Sequence, residues 1–418
     1  MRPSALLTLV TLAGACRDAA EPIQPASAVT AEPSGYEAID LGTLGGSSTL
    51  PAALNNEGQV VGRSQVADGK YHAFLWQEGA MHALAEPPGA ITSGAQAINN
   101  NGLIAGTAEV SGMYENSNLV LVWENGVARD LGAPDFGLPP AQVIAMSEPG
   151  DVLATVRFDT YNDHSLLWLG GVMYDLGRIA HRPETWGSSL NNRGQVVGVG
   201  FLYSHGPNDF YAPFLWENGT IRHLGLLGRT PPCGQPDLLD DQPCSEGAAT
   251  DINERGDVVG YSVDMAGVTR PFLWQDGVLR DLGALAGQNA VAIAINERGE
   301  VAGHEGRSPS GNGFLWQSGV TRDIGSLGAG GTRVIAMNNH GEIVGSSFTA
   351  TGQRHAFVWT SGSIIDLGTG SSEADASEAI AINARGDVLG VSRDCDPPAQ
   401  CQYGNFGTSR AVLWRKAP

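Results

Sequence analysis

Short runs with a period of two recur along the chain and carry the alternation of strands. In the stretch "AIAINERGEVAG", Ala292 to Asn296 alternates small and branched residues, and Glu300 to Gly303 follows after a turn. No helical period appears. An F-L-W run comes next, as a third strand, and an R-D-L-G run such as Arg280 to Gly283 makes a fourth. Asn followed three residues later by Gly suits a type I turn closed by a residue with positive φ. Asn125-Gly126, Asn218-Gly219 and Asp276-Gly277 stand between the third and fourth runs, and such dipeptides favour two-residue hairpins. Each unit therefore reads as a four-stranded meander.

The unit repeats. Trp76, Trp123, Trp168, Trp216, Trp274, Trp316, Trp359 and Trp414 end its third run, which makes eight copies. The turn glycines Gly58, Gly102, Gly150, Gly194, Gly256, Gly299, Gly341 and Gly386 give the same number, with only Ser147-Glu148-Pro149-Gly150 departing from the Asn. The last copy stops at Trp414 and lacks its fourth strand, while "YEAIDLG", Tyr36 to Gly42, precedes the first copy as a fourth strand without a third. Pairing the two closes a ring and removes two exposed sheet edges. The expected fold is all-β, an eight-bladed β-propeller over residues 36–418, about 48 residues per blade.

His72-Ala73-Phe74 and His355-Ala356-Phe357, with His164-Ser165-Leu166 as a looser copy, give the repeat region a resemblance to the extracellular HAF-repeat family of bacterial secreted and surface proteins. The resemblance implies location and supplies no reaction. The N-terminus agrees with it. "MRPSALLTLVTLAGAC" has a basic Arg2, an apolar run too short to span a bilayer, and small residues before Cys16. Residues 1–15 read as a signal peptide, followed either by lipidation at Cys16 or by ordinary secretory cleavage; Ala13 stands where a lipoprotein box usually has Leu. Residues 16–35, rich in Pro and Ala, read as a tether.

Setting Cys16 aside leaves two close pairs, Cys233 with Cys244 and Cys395 with Cys401, which in an exported chain read as two local disulfides. Their spacing is not that of a metal site, and no cofactor is expected. The formal net charge of −20 disfavours nucleic acid and anionic membranes as partners, leaving a lipid anchor as the one membrane link. A monomer is expected.

Loops in a meander alternate between the two ends of the ring. The first-to-second and third-to-fourth turns keep their length from copy to copy, whereas both insertions, which hold the cysteine pairs, fall on the opposite face. Repeat proteins gather insertions on the binding face. Tyr71, Tyr114, Tyr161, Tyr203, Phe210, Tyr211, Tyr403 and Phe406 are placed there in second-to-third loops, and Trp186 in a fourth-to-first loop. The recurring tryptophans are expected to pack between blades, and the recurring histidines and D-L-G aspartates to hydrogen-bond within them. No catalytic residue is assigned, since catalytic groups should break the repeat symmetry. The leading expectation is a non-enzymatic binding propeller for an extracellular glycan, peptide or protein. The alternative is a carbohydrate-active propeller enzyme using the insertion-loop carboxylates Asp240 and Asp241.

The cysteine reading is checked by mass mapping under non-reducing conditions. Bonds from Cys233 to Cys244 and from Cys395 to Cys401 are expected, and a bond from Cys233 to Cys395 or Cys401 would overturn the loop assignment.

Overall fold

A computed structural model describes residues 35–417, apart from 112–116, 133–140, 158–162, 178–183, 206–207, 228–245, 265, 284, 286–288, 307–310, 329, 372–373 and 395–407, with backbone alone over 202–205 and 208–210. The signal peptide and tether expected from the sequence, and all five cysteines, lie outside the described residues. The described strands form eight antiparallel four-stranded sheets, an eight-bladed propeller, and no helix is present among the described residues.

Blade 1 comprises Thr49–Leu54, Val60–Gln65, Tyr71–Gln77 and Ala80–Ala83, from the channel outward. The first strands of successive blades touch one another all round the ring and so border the channel. Blade 8 comprises Ala376–Ile382, Val388–Arg393, Ser409–Lys416 and, outermost, Tyr36–Asp40. Tyr36 lies opposite Lys416 and Asp40 opposite Val412, so the N-terminal strand completes the last blade. The ring closes as the divided repeat unit requires.

Local chemistry sets the turns. All eight turn glycines have positive φ, from 75° to 95°, a region where a Cβ is penalised. The outer hairpins have positive φ at both central residues, 50° and 79° at Asn125-Gly126 and 51° and 84° at Asp276-Gly277, the signature of type I′. A second glycine has a packing reason. Each first strand carries a bulge, and at Gly62 a Cβ would run into the Leu50 carbonyl across it.

The turn asparagine does most of the joining. In blade 5, Asn253 Oδ1 accepts from the Arg255 and Asp257 amides at 3.1 and 3.0 Å, which holds the turn. Its Nδ2 donates to Asp257 Oδ2 at 3.1 Å and to the Asn296 carbonyl of blade 6 at 3.2 Å. Equivalent bonds run from Asn55 to Asn99, Asn99 to Ser147 and Glu148, Asn191 to Asn253, Asn296 to Asn338, Asn338 to Asn383 and Asn383 back to Asn55. These asparagines are only 3–7% exposed, so an unmade bond would leave a buried polar group bare. One seam lacks the link. Ser147 Oγ turns instead to Asp151 Oδ2 at 2.9 Å, and Pro149 has no N–H for an asparagine at 147 to accept.

Apolar packing covers every seam. Each of the eight buried clusters joins two adjacent blades, and the tryptophan of the F-L-W run sits against the preceding blade in all of them. Trp123 packs with Val61, Ala73 and Leu84 of blade 1, and its Nε1 donates to the Ala85 carbonyl at 2.6 Å. Large-to-small changes at such positions cost about 3–5 kcal/mol.

Two substitutions test the asparagine belt by chemical denaturation. Asn296→Ala should lower stability by about 1–3 kcal/mol, because it strands both turn amides and a seam carbonyl. Ser147→Asn supplies the missing donor and should raise stability by about 0.5–1.5 kcal/mol. Two variants as stable as the parent would mean that the belt does not join the blades.

Candidate functional site

The second-to-third and fourth-to-first connections emerge at one end of the propeller. There, beside the channel, a cavity of about 610 Å³ opens between blades 1, 2 and 3. Arg63 and Tyr71 come from blade 1, Gln96, Glu109 and Asn118 from blade 2, and Gln142 from the start of blade 3. Their strands are the second and third of blade 1, the first (Ala90–Ile98), second (Ile104–Val110) and third (Ser117–Glu124) of blade 2, and Gln142–Met146. Strand ends built into sheets fix these side chains more firmly than loops would.

The Arg63 guanidinium lies over the Tyr71 ring, 5.1 Å from its centroid. No ion pair with another described residue engages it, although the chain carries a formal charge of −20. Gln96 Nε2 donates to Thr107 Oγ1 at 2.9 Å, which leaves its Oε1 buried without a hydrogen-bond partner. Asn118 Nδ2 is likewise buried and unsatisfied. Glu109 accepts from Thr92 Oγ1 at 3.4 Å on the same wall. The cavity thus joins a cation, a spare donor and a spare acceptor to an apolar floor that includes Leu50, the combination expected of a ligand site. A second hollow, about 470 Å³ at the opposite end, differs: Arg255 pairs with Asp257 and Arg298 with Glu300 inside it.

The aromatics singled out from the sequence are placed differently. Trp186 and Tyr211 lie in strands, Thr185–Leu190 and Asn208–Glu217, and the backbone of Tyr203 lies in Val196–His205, so none of the three is a loop residue as expected. The second and third strands of blade 4 continue their ladder past the repeat boundary to the pair His205 and Asn208, which absorbs the supposed loop. Trp186 and Tyr211 meet at 5.5 Å between ring centroids. Their polar tips are taken, Trp186 Nε1 by Asp163 Oδ2 at 3.3 Å and Tyr211 Oη by Glu184 Oε2 at 2.8 Å. They do not line the cavity. Tyr114, Tyr161, Tyr403, Phe406, Asp240 and Asp241 lie outside the described residues, as do Cys16, Cys233, Cys244, Cys395 and Cys401.

Arg63, Gln96 and Asn118 were not singled out by sequence reasoning, yet two of them break a repeated row. Arg63 stands where the other blades have Thr107, Thr155, Val199, Tyr261, His304, Ser346 and Val391. Gln96 stands where they have Ala52, Ile144, Ser188, Thr250, Ile293, Ile335 and Ile380.

The recurring histidines hydrogen-bond within their blades. His164 and His355 hold Asp175 and Asp366 at 3.0 and 2.9 Å, and those aspartates also accept from Gly177 and Gly368. His72 holds Glu86, which also accepts from Ser93. There the carboxylate stands between hydroxyl and imidazole, so the order of a serine nucleophile activated by histidine is not met. Among the described residues no three His, Cys, Asp or Glu side chains gather as a metal site.

Asp251, on the first strand of blade 5 (Gly247–Ile252), is the other unusual carboxylate. It accepts from Ser189 Oγ of blade 4 at 2.8 Å, from Ile252 N at 2.9 Å and from Ile295 N of blade 6 at 3.0 Å. Burial pushes its carboxyl up to about 6 against the pull of these three bonds.

Among solved structures, the chain is similar over 85% of its length to a prolyl endopeptidase, at 12% identity and a TM-score of 0.50, and covers 55% of that chain. It is similar over 78% of its length to the β-propeller domain of the trilobed protease from Pyrococcus furiosus, at 12% identity and a TM-score of 0.48, covering 97% of that chain. For the acylaminoacyl peptidase of Pyrococcus horikoshii the similarity spans 83% of this chain and 58% of the other, at 12% identity and a TM-score of 0.46. The chain thus spans little more than half the length of the prolyl endopeptidase and of the acylaminoacyl peptidase. The likeness is one of fold. No family model matches the chain, and no curated protein matches it. The expectation of a non-enzymatic binding propeller is corrected here: the solved structure of similar fold at a TM-score of 0.50 is a prolyl endopeptidase, and Trp186 and Tyr211, which suggested simple binding, are strand residues whose polar tips are taken within the chain.

Asp251 gives this inner ring a pH dependence. Its folded pKa of about 6 lies above the ordinary unfolded value, so the folded state holds the extra proton and stability falls as pH rises from about 4 to 6, then stays level. His304, lowered to about 4 by burial and by Arg333, acts in the opposite sense and is common to parent and variant. Relative to Asp251→Ala, the parent should lose about 1–2 kcal/mol between pH 4 and 6.5 in denaturant titrations, less than the full shift because Asp251 keeps some contact with solvent. Parallel pH curves would count against it.

Proposed function

We propose that the chain takes part in peptide hydrolysis as the part that selects the substrate. The observation carrying this reading is the cavity between blades 1 and 3, where an ion-pair-free guanidinium, a spare amide donor and a spare amide acceptor converge beside the channel mouth. A peptide main chain offers the complementary acceptors and donors at every residue. Support also comes from the fold, which the chain has in common with a prolyl endopeptidase. The bond-breaking groups are not assigned to any described residue. The sequence further supports export, through the Arg2-headed apolar run before Cys16 and the HAF-like repeats, so the peptides would be met outside the cytoplasm.

The test uses the full chain extracted gently from its own cells and assayed with a panel of fluorogenic peptides. Peptide hydrolysis should follow the chain through purification, and Tyr71→Ala introduced in those cells should raise KM severalfold with little change in kcat. Failure to find peptide hydrolysis in any fraction containing the chain would overturn the proposal.

A further inference from the structure

Resting on that reading, we infer that Arg63 recognises a carboxylate of a short peptide, so that the substrates selected are those with a free C-terminal carboxylate or an acidic side chain at the corresponding place. Three observations meet here. First, Arg63 projects from the second strand of blade 1 as an exposed side chain that no carboxylate among the described residues engages, in a protein with 44 acidic residues against 24 basic ones. At the other end Arg255 and Arg298 each have a carboxylate partner.

Second, the contact with the Tyr71 ring consumes none of the guanidinium N–H groups, which lie in the plane of the fork and suit two parallel bonds to a carboxylate. Gly94 of blade 2 lies beside the arginine stem, where a Cβ would make ordinary van der Waals contact with Arg63 Cδ at 3.6 Å. Third, the rest of the cavity suits a main chain rather than a bare anion. Asn118 Nδ2 and Gln96 Oε1 lack partners, and Glu109 on the blade 2 wall disfavours a second negative charge while favouring an ammonium. At about 610 Å³ the cavity has the size of a small-ligand site, and a tripeptide extends to about 10 Å. A peptide lying with its carboxylate on Arg63 and its body along blade 2 runs past Asn118 and Gln96, whose buried, unpartnered amide atoms would turn toward it on binding.

The experiment measures calorimetric binding of tri-alanine as the free acid, tri-alanine amide and Ala-Glu-Ala amide to the full chain and to its Arg63→Gln variant. The free acid should bind about tenfold more tightly than its amide, and the preference should vanish in Arg63→Gln. Affinity regained by Ala-Glu-Ala amide would make an acidic side chain the source of the carboxylate; affinity not regained would make it the C-terminus. Equal binding of acid and amide, or a preference that survives Arg63→Gln, overturns this inference and leaves the peptide reading in place. If no peptide binds in any form, and none is hydrolysed, both fail together.

Discussion

A single side-chain amide, that of the asparagine opening the first turn of seven blades, fixes how each blade meets the next. Its Oδ1 accepts two amides of its own turn, and in six of the seven Nδ2 donates to a side chain four residues on and to the neighbouring blade's carbonyl. Asn99, with Leu103 at that place, donates to two carbonyls of the next blade. Aspartate would lack the donor, and glutamine would place it a methylene too far. Because every atom of the amide is used, the turn and the seam cannot be set independently. Apolar burial pulls adjacent blades together without direction; the belt gives that attraction a register.

This arrangement explains why one end of the propeller is monotonous. A longer turn at that end would move an asparagine away from its neighbour's carbonyl and expose two buried polar groups at once. At the other end the constraint relaxes. Seam bonds exist there too, as where Ser93 Oγ accepts from Ala73 N and Ser377 Oγ from Ala356 N, but they lie inside the strands and leave the connections beyond them free. Variation in loop length, strand length and side-chain chemistry gathers at that end, and so does the cavity.

The fold was legible because its determinants are local and repeated. The turn glycines, the type I′ dipeptides, the seam tryptophans and the divided last blade could each be read from one stretch of sequence, and each is found in the structure. Strand extent was less legible. Nothing in "GFLYSHGPNDFY" announces that pairing runs on to His205 and Asn208, so Tyr203 and Tyr211 were assigned to a loop. The cavity was least legible of all. Arg63, Gln96, Asn118 and Gln142 come from three blades and meet only because the ring brings the same ends of those blades together. Function suffered the same limit, since the repeated residues specify the scaffold and are silent about what the scaffold selects.

Departures from the repeat nevertheless fall into two physical kinds. Ser189 and Asp251 occupy a row that is alanine in the other six blades, and they bond to each other across a seam. Arg333 and Glu378 share another row otherwise filled by Leu50, Gly94, Gln142, Trp186, Ala248 and Val291, and they too pair across a seam, at 3.5 Å. Such pairs answer their own electrostatic demand and add to the ring's internal order. Arg63 has no counterpart of this kind: its nearest support is the uncharged Tyr71, and the amide groups around it in blade 2 are themselves unsatisfied. In a scaffold where Ser189 with Asp251 and Arg333 with Glu378 are compensated across a seam, a cation set beside unpaired amides is the arrangement that the proposed peptide carboxylate would complete.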